Sequence, residues 1–403
     1  MIAILKREWK SYFQNITGWL FIAAVLALYG LYFLAYNLRA GYPYVSYTLS
    51  AISFIMLIAV PILTMRSMAE ERHSRTDQLV LTAPVSLGKM IFGKFLAMVG
   101  VFTVAVAVIA VTPLVLAAFG TVPMGENYVA VLGFWLYGCT CIAVGMLASA
   151  LTESQVIAAV VAFAFLFLGY MMNSITGLIG DHLITKVLGA YDLYTPLQSF
   201  MSGCLDLTGV VYFVSVTALC LFLTCQCVQK RRWSMTTKKL TTGMFSVAMI
   251  VVGFAVAVAV NMVVKEMPSS WTAVDATSTK LYSLTDTTKD YVKNLSQDVT
   301  IYVLSSEKSA DSTLAETLQR YEDLSKHLKV VYKDPEKSPN FYQQYTDSAP
   351  SQNSMIVESD ARSRVVDYSD VYEYSYDYST YSSSVDGYDA VSYTHLRAHE
   401  TAA

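Results

Sequence analysis

Over its first two-thirds the chain reads as long unbroken apolar runs separated by short polar breaks, and after that the pattern disappears. Seven stretches contain no Asp, Glu, Lys or Arg: 18–38, 48–65, 95–119, 128–151, 156–179, 209–228 and 243–264. A helix rises about 1.5 Å per residue and a bilayer core is about 30 Å thick, so each stretch predicts a spanning helix. The second is the shortest, with Pro61 near its end as a point of kinking. The first reads as a retained span and not as a signal peptide, because its apolar part is too long and no small-residue cleavage site follows it.

Ahead of these runs, residues 1–17 show a different spacing. Ile2, Leu5, Trp9 and Phe13 fall on one helical face and Lys6, Arg7 and Lys10 on another, which predicts an amphipathic helix lying in the membrane interface. Beyond Lys265 the chain becomes rich in Ser, Thr, Asp and Tyr, with short apolar pieces. Residues 299–304 alternate like a strand, Leu314, Leu318, Tyr321 and Leu328 fit a helix, and 330–332, 355–357 and 365–366 read as further strands. Asp334 and Pro335 mark a turn. The Tyr-, Ser- and Asp-rich segment 368–388 reads either as an edge hairpin or as a disordered stretch.

Composition agrees with lipid as the main solvent: 54% of residues are apolar, 15% are charged, and mean hydropathy is +0.43. The net charge of −3 is uninformative, and no nucleic-acid partner is expected; the placement of charge says more. Lys6, Arg7 and Lys10, then Arg66, Arg72, Arg75, Lys89 and Lys94, then Lys230, Arg231, Arg232, Lys238 and Lys239 mark alternate flanks, whereas the opposite loops between the first six stretches hold only Arg39 and Lys186. Lys and Arg collect on cytoplasmic flanks. The expected topology has a cytoplasmic N-terminus and an extracytoplasmic C-terminal domain; the loop 152–155 is too short, and without Lys or Arg, to decide anything.

No ionisable carboxylate or base lies within the seven stretches, which argues against a carrier that binds a coupling ion at membrane depth. No G-x-x-x-x-G-K-[ST] phosphate loop is present, so the chain is not expected to hydrolyse ATP. The most specific segment follows the second stretch: Glu70, Glu71, Thr76, Asp77, Leu79, Leu81, Thr82, Pro84, Val85, Ser86, Gly93 and Lys94 stand in the order of a motif seen in the type-2 ABC export permeases. Residues 1–230 resemble that family. Arg75 departs from it at a position where Gly is common, which bears on the local turn.

That resemblance implies an α-helical polytopic membrane protein with a six-span permease core over 18–230, whose cytoplasmic coupling loop, 66–94, docks on a separate ABC ATPase. The docking residues it implies are Glu70, Glu71, Arg72, Thr76, Asp77, Pro84, Lys89 and Lys94. ATP and Mg belong to the partner ATPase, with no cofactor on this chain. A second permease domain, as a homodimer or a paired permease, is also implied, together with the lipid bilayer. Reversing Glu70 and Glu71 to Lys is expected to weaken association with the ATPase while insertion and folding survive, because these residues lie outside the bilayer.

A seventh span, 243–264, leads to the C-terminal α/β extracytoplasmic domain, 265–390. Its opening run, with Asp275, Thr277, Tyr282, Ser283, Leu284 and Thr285, and the later Asp334-Pro335, resembles the outer domain of the GldG family, named for a gliding-motility ABC system. The resemblance assigns no catalytic residue, and Asp275 and Thr277 read first as caps of a turn or helix. An accessory or mechanical membrane protein, whose outer domain binds a partner without moving a solute, is the alternative reading. The cysteines sit mostly within spans and offer no disulfide framework. His395 and His399 have helical metal-site spacing but fall in 391–403, a run that reads as a non-native tail, with the domain ending near Ala390.

Overall fold

The computed structural model describes residues 2–75, 86–179, 189–232, 239–265, 267, 272–276, 286–295, 297–306, 309–335, 338–346, 348–359, 362–377 and 384–390. The chain divides into two compact units, Met1–Glu266 and Met267–Ala403.

The first unit is helical. Helix α1 (Ile2–Gln14) precedes α2 (Ile16–Phe33), which continues through a π turn at Leu34–Arg39. Then come α3 (Ser46–Thr64), α4 (Arg66–His73), α5 (Leu87–Ile109), α6 (Thr112–Ala117), α7 (Met124–Leu151), α8 (Gln155–Ile179) and α9 (Tyr194–Met201). A short strand β1 (Cys204–Asp206) leads into α10 (Leu207–Arg232), and α11 (Lys239–Lys265) closes the unit. Among the described residues six helices are long and apolar enough to cross a membrane: Ile16–Arg39, Ser46–His73, Leu87–Ala117, Met124–Leu151, Gln155–Ile179 and Leu207–Gln229. The expected seventh span appears as the shorter apolar helix Ala248–Val264 within α11.

One detail differs from the apolar pattern. The third stretch reads as one run to Phe119, but a turn at Ala110 and Val111 separates α5 from the short α6, which starts at Thr112 with Pro113 in its first turn. Proline is at home in a first helical turn, where its missing N–H costs nothing. Pro61 stays inside α3, which ends at Thr64.

Close approach between helices depends on small residues. At Gly138 a Cβ would come within 2.2 Å of Phe102, and at Gly145 within 2.3 Å of the Thr64 hydroxyl, so α7 packs against α5 and α3 where it has no side chain. The core around it includes Leu49, Met56, Leu57, Phe102, Phe134, Tyr137 and Phe213, each nearly or fully shielded. At one end of the bundle two buried amides tie loops down: Asn37 Nδ2 donates to the Tyr42 and Tyr44 carbonyls, and Asn127 accepts from the Val45 N–H at 2.6 Å and donates to the Pro43 carbonyl. Near the start of α10, Asn261 of α11 donates to the Ser215 hydroxyl at 2.7 Å. That bond fixes α11 to the sixth span.

The second unit contains β2 (Ala273–Asp275), α12 (Asp286–Lys293), β3 (Val299–Val303), α13 (Ser312–Leu324), β4 (Leu328–Tyr332), β5 (Met355–Ser359), β6 (Ser363–Val366), β7 (Tyr372–Asp377) and β8 (Ser384–Ala390). A four-stranded sheet has the order β4-β3-β5-β6, with β3 and β4 parallel and the other pairs antiparallel. This is the expected strand–helix–strand unit. Asp311 caps α13 by accepting the Leu314 N–H, and Leu314, Leu318 and Tyr321 pack on Ile301, Val303 and Leu328. Leu328, expected on the helix, instead opens β4: its spacing from Leu314 fits both periods, and Ser325 ends the helix. Asp334 and Pro335 do follow the end of β4 as a turn, and β7 and β8 form an antiparallel hairpin.

Candidate functional site

The candidate docking residues lie around the 66–94 loop, and the structure describes both of its ends. Helix α4 leaves the spanning helix α3 through Met65 and is held from the side by Ser149 near the end of α7. The Ser149 hydroxyl accepts the Met68 and Ala69 N–H groups at 3.1 Å and donates to the Met65 carbonyl at 3.0 Å. One buried hydroxyl thus takes up backbone groups that a helix start leaves without intrahelical partners.

Charge pairs surround this joint. Arg66 makes a two-pronged contact with Glu70, Nε to Oε2 at 2.7 Å and Nη2 to Oε1 at 2.8 Å, while its Nη1 donates to the Thr17 hydroxyl at the start of α2. Arg72 pairs with Glu153 at 2.6 Å, which places the 152–155 loop at the same end of the bundle as α4. The centre is Lys94 of α5. Only 3% of its side chain is exposed, and its Nζ lies 2.6 Å from Glu71, 3.7 Å from Glu8 of α1, and 3.0 Å from the Ser67 carbonyl. Arg7 closes the group, 2.5 Å from Glu8 and 3.5 Å from Glu71. The shielded Lys94 ammonium thus sits between two largely covered carboxylates, with the more open Arg7 at their edge, which gives the buried charge the partners it requires.

Helix α1 reaches this cluster by lying along α5. The ring of Trp9 covers Gly100, where a Cβ would fall 1.7 Å from the indole, and Trp9 also meets Phe13 at 5.1 Å between centroids. Glu8 is on the protein-facing side with Ile4 and Tyr12, so the expected two-faced helix has a third face that locks it to the bundle.

Of the eight docking residues, the structure thus brings Glu71 and Lys94 into contact with each other, pairs Glu70 with Arg66 and Arg72 with Glu153, and leaves Lys89 exposed on the first turn of α5. Thr76, Asp77 and Pro84 lie outside the described residues. Ser67, Ser149, Glu8 and Glu153 joined the site unannounced by the motif. Arg75 sits at φ 55°, the left-handed conformation that favours glycine, just past the end of α4. The arginine thus holds a backbone conformation that suits glycine better, at a cost of about 1 kcal/mol.

In the second unit Asp275 ends β2, while Thr277, Tyr282, Ser283, Leu284 and Thr285 lie outside the described residues. On the sheet face away from α13, Tyr302, Phe341 and Tyr345 cluster at 5.0 to 6.4 Å, with the Lys333 ammonium over the first two rings. No signal in the linear pattern marks that cluster. Among the described residues no group of His, Cys, Asp and Glu is arranged to hold a metal. All six cysteines carry free thiols.

Residues 39–228 match the family described as ABC-2 family transporter protein. The mostly helical unit with its six candidate spans fits the permease core of that family. Residues 278–371 match a domain of unknown function, DUF7088. No curated protein matches the chain.

Proposed function

We propose that the first unit is the permease subunit of an ATP-driven exporter, powered by a separate ABC ATPase that docks on the 66–94 loop from the cytoplasmic side. The observation that carries this reading is the construction of the loop's base. Helix α4 is continuous with α3, bonded to the end of α7 through Ser149, and ion-paired to α5 through Lys94, so a force on the loop is delivered to three spans at once. A solvated topology loop needs no such joint. Within the loop, Glu70, Glu71, Arg72 and Lys94 brace the base, while Lys89, Thr76, Asp77 and Pro84 are the residues proposed to meet the ATPase.

In this reading two permease domains, two ATPases and ATP-Mg on the ATPases complete the machine. The second unit serves as a GldG-like extracytoplasmic domain, reached through α11. The test reverses charges proposed to meet the ATPase and leaves the bracing ones alone. Lys89→Glu combined with Asp77→Lys places like charges against a complementary groove, so ATPase recovered from membranes at matched permease levels should fall about tenfold, equivalent to about 1.4 kcal/mol. Permease-stimulated ATP hydrolysis should fall with it. Unchanged recovery and unchanged hydrolysis would leave the loop as a topology signal and favour the accessory or mechanical protein.

A further inference from the structure

We propose that α1 is a binding site for anionic phospholipid headgroups, with Lys6 and Lys10 as the phosphate-binding cations. The inference concerns the membrane unit alone and goes beyond the transport reading. Helix α1 divides into three faces. Ile4, Glu8 and Tyr12 are half-buried against the bundle. Beside them Ile2 and Trp9 are 66% and 37% exposed, and at the start of α2 Ile16, Trp19 and Leu20 extend the same kind of surface at 80%, 57% and 58%. Exposed apolar side chains bordered by two tryptophans, one of which donates its indole N–H to the Phe13 carbonyl at 3.0 Å, suit the boundary between acyl chains and headgroups.

The third face carries Lys6 and Lys10, one helical turn apart and both exposed. Arg7 is engaged by Glu8 and Glu71. Among the described residues no carboxylate lies within ion-pair distance of either lysine. Two uncompensated cations therefore border a lipid-facing apolar stripe, and long lysine stems place their ammonium groups at headgroup level. The complementary ligand is a lipid phosphodiester carrying net negative charge. A water-borne acidic peptide would match the lysines but leave the adjacent Ile2, Ile16 and Leu20 stripe uncovered. Because Glu8 of the same helix reaches Lys94, lipid that holds α1 down also holds the base of the 66–94 loop.

The test is amide hydrogen exchange of the full chain in nanodiscs, of phosphatidylcholine alone or with about one-third phosphatidylglycerol. Each lysine near an anionic surface is worth about a fivefold change in binding, so exchange across α1 should slow at least tenfold in the anionic bilayer. Lys6→Gln with Lys10→Gln should abolish that slowing and exchange like the parent in phosphatidylcholine, which establishes that the variant folds. Lys6→Arg with Lys10→Arg should keep it. Inorganic phosphate added to the neutral bilayer should do nothing. The proposal is overturned if the parent exchanges equally in both bilayers, if the glutamine variant responds as the parent does, or if free phosphate reproduces the effect. No ATPase is present, so failure here leaves the permease reading untouched.

Discussion

Replacing Lys94 by Met tests whether the charges at the loop base hold the permease together or await a partner. The ammonium is 3% exposed and has three neighbours, Glu71 at 2.6 Å, Glu8 at 3.7 Å and the Ser67 carbonyl at 3.0 Å. Its removal leaves two carboxylates, only 21% and 16% exposed, and among the ion pairs of the described residues the more open Arg7 is the cation they still share. Breaking a buried pair costs about 3–5 kcal/mol, and the partial access of water to both carboxylates sets the expectation at the lower end, about 3 kcal/mol. That corresponds to a melting temperature lower by about 6–12 °C for a unit of this size. The assay is thermal unfolding of the purified full chain in one bilayer mimetic, without ATPase.

Lys94→Met with Glu71→Gln removes the opposing charges together, so it should recover more than half of the loss, giving a coupling energy of about 2 kcal/mol. Added salt should change little, since a shielded pair is weakly screened. If Lys94 instead served a partner, the isolated variant would melt with the parent. That result, or losses that simply add in the double variant, would refute the internal lock.

Two further outcomes follow from local geometry. Gly100→Ala drives a methyl into the Trp9 ring, so α1 should lift from α5 at a cost of about 1–3 kcal/mol, read as a shift in Trp9 emission in a chain whose other tryptophans are replaced by Phe. Asp367 accepts the Ser369 and Ser351 N–H groups together with the Ser351, Ser354 and Ser369 hydroxyls, and these bonds hold its carboxyl well below the usual range. A depressed carboxylate stabilises the fold above its unfolded pKa of about 4 and loses that contribution as pH falls further. Protease resistance of the second unit should therefore decline as pH drops below about 4, and Asp367→Asn should be less resistant at neutral pH with a flatter pH response.

What the linear pattern reveals and what it hides have separate physical causes. The spans were legible because an apolar run long enough to cross a bilayer has few other uses, and α2, α3, α7, α8 and α10 each begin and end within a few residues of such a run. Strand β3 and helix α13 were legible for the same kind of reason, a local period. The charge lock had no such signature. Glu8, Glu71 and Lys94 come from three separate helices; Lys94 obeys the flanking-charge rule as well as a solvated lysine would, and that rule is silent on the two glutamates. Lys89 and Lys94 look equivalent as cytoplasmic flanks. Only the path of α5 beyond Leu87 separates them: Lys89 stays exposed on its first turn, while Lys94 is carried to the level where α1 and α4 converge. The rule that orients the chain requires a positive charge on that side and is indifferent to depth, whereas the lock requires an ammonium at one depth and in one direction. A lysine can satisfy both demands, and the second becomes visible only when the neighbouring helices are in place.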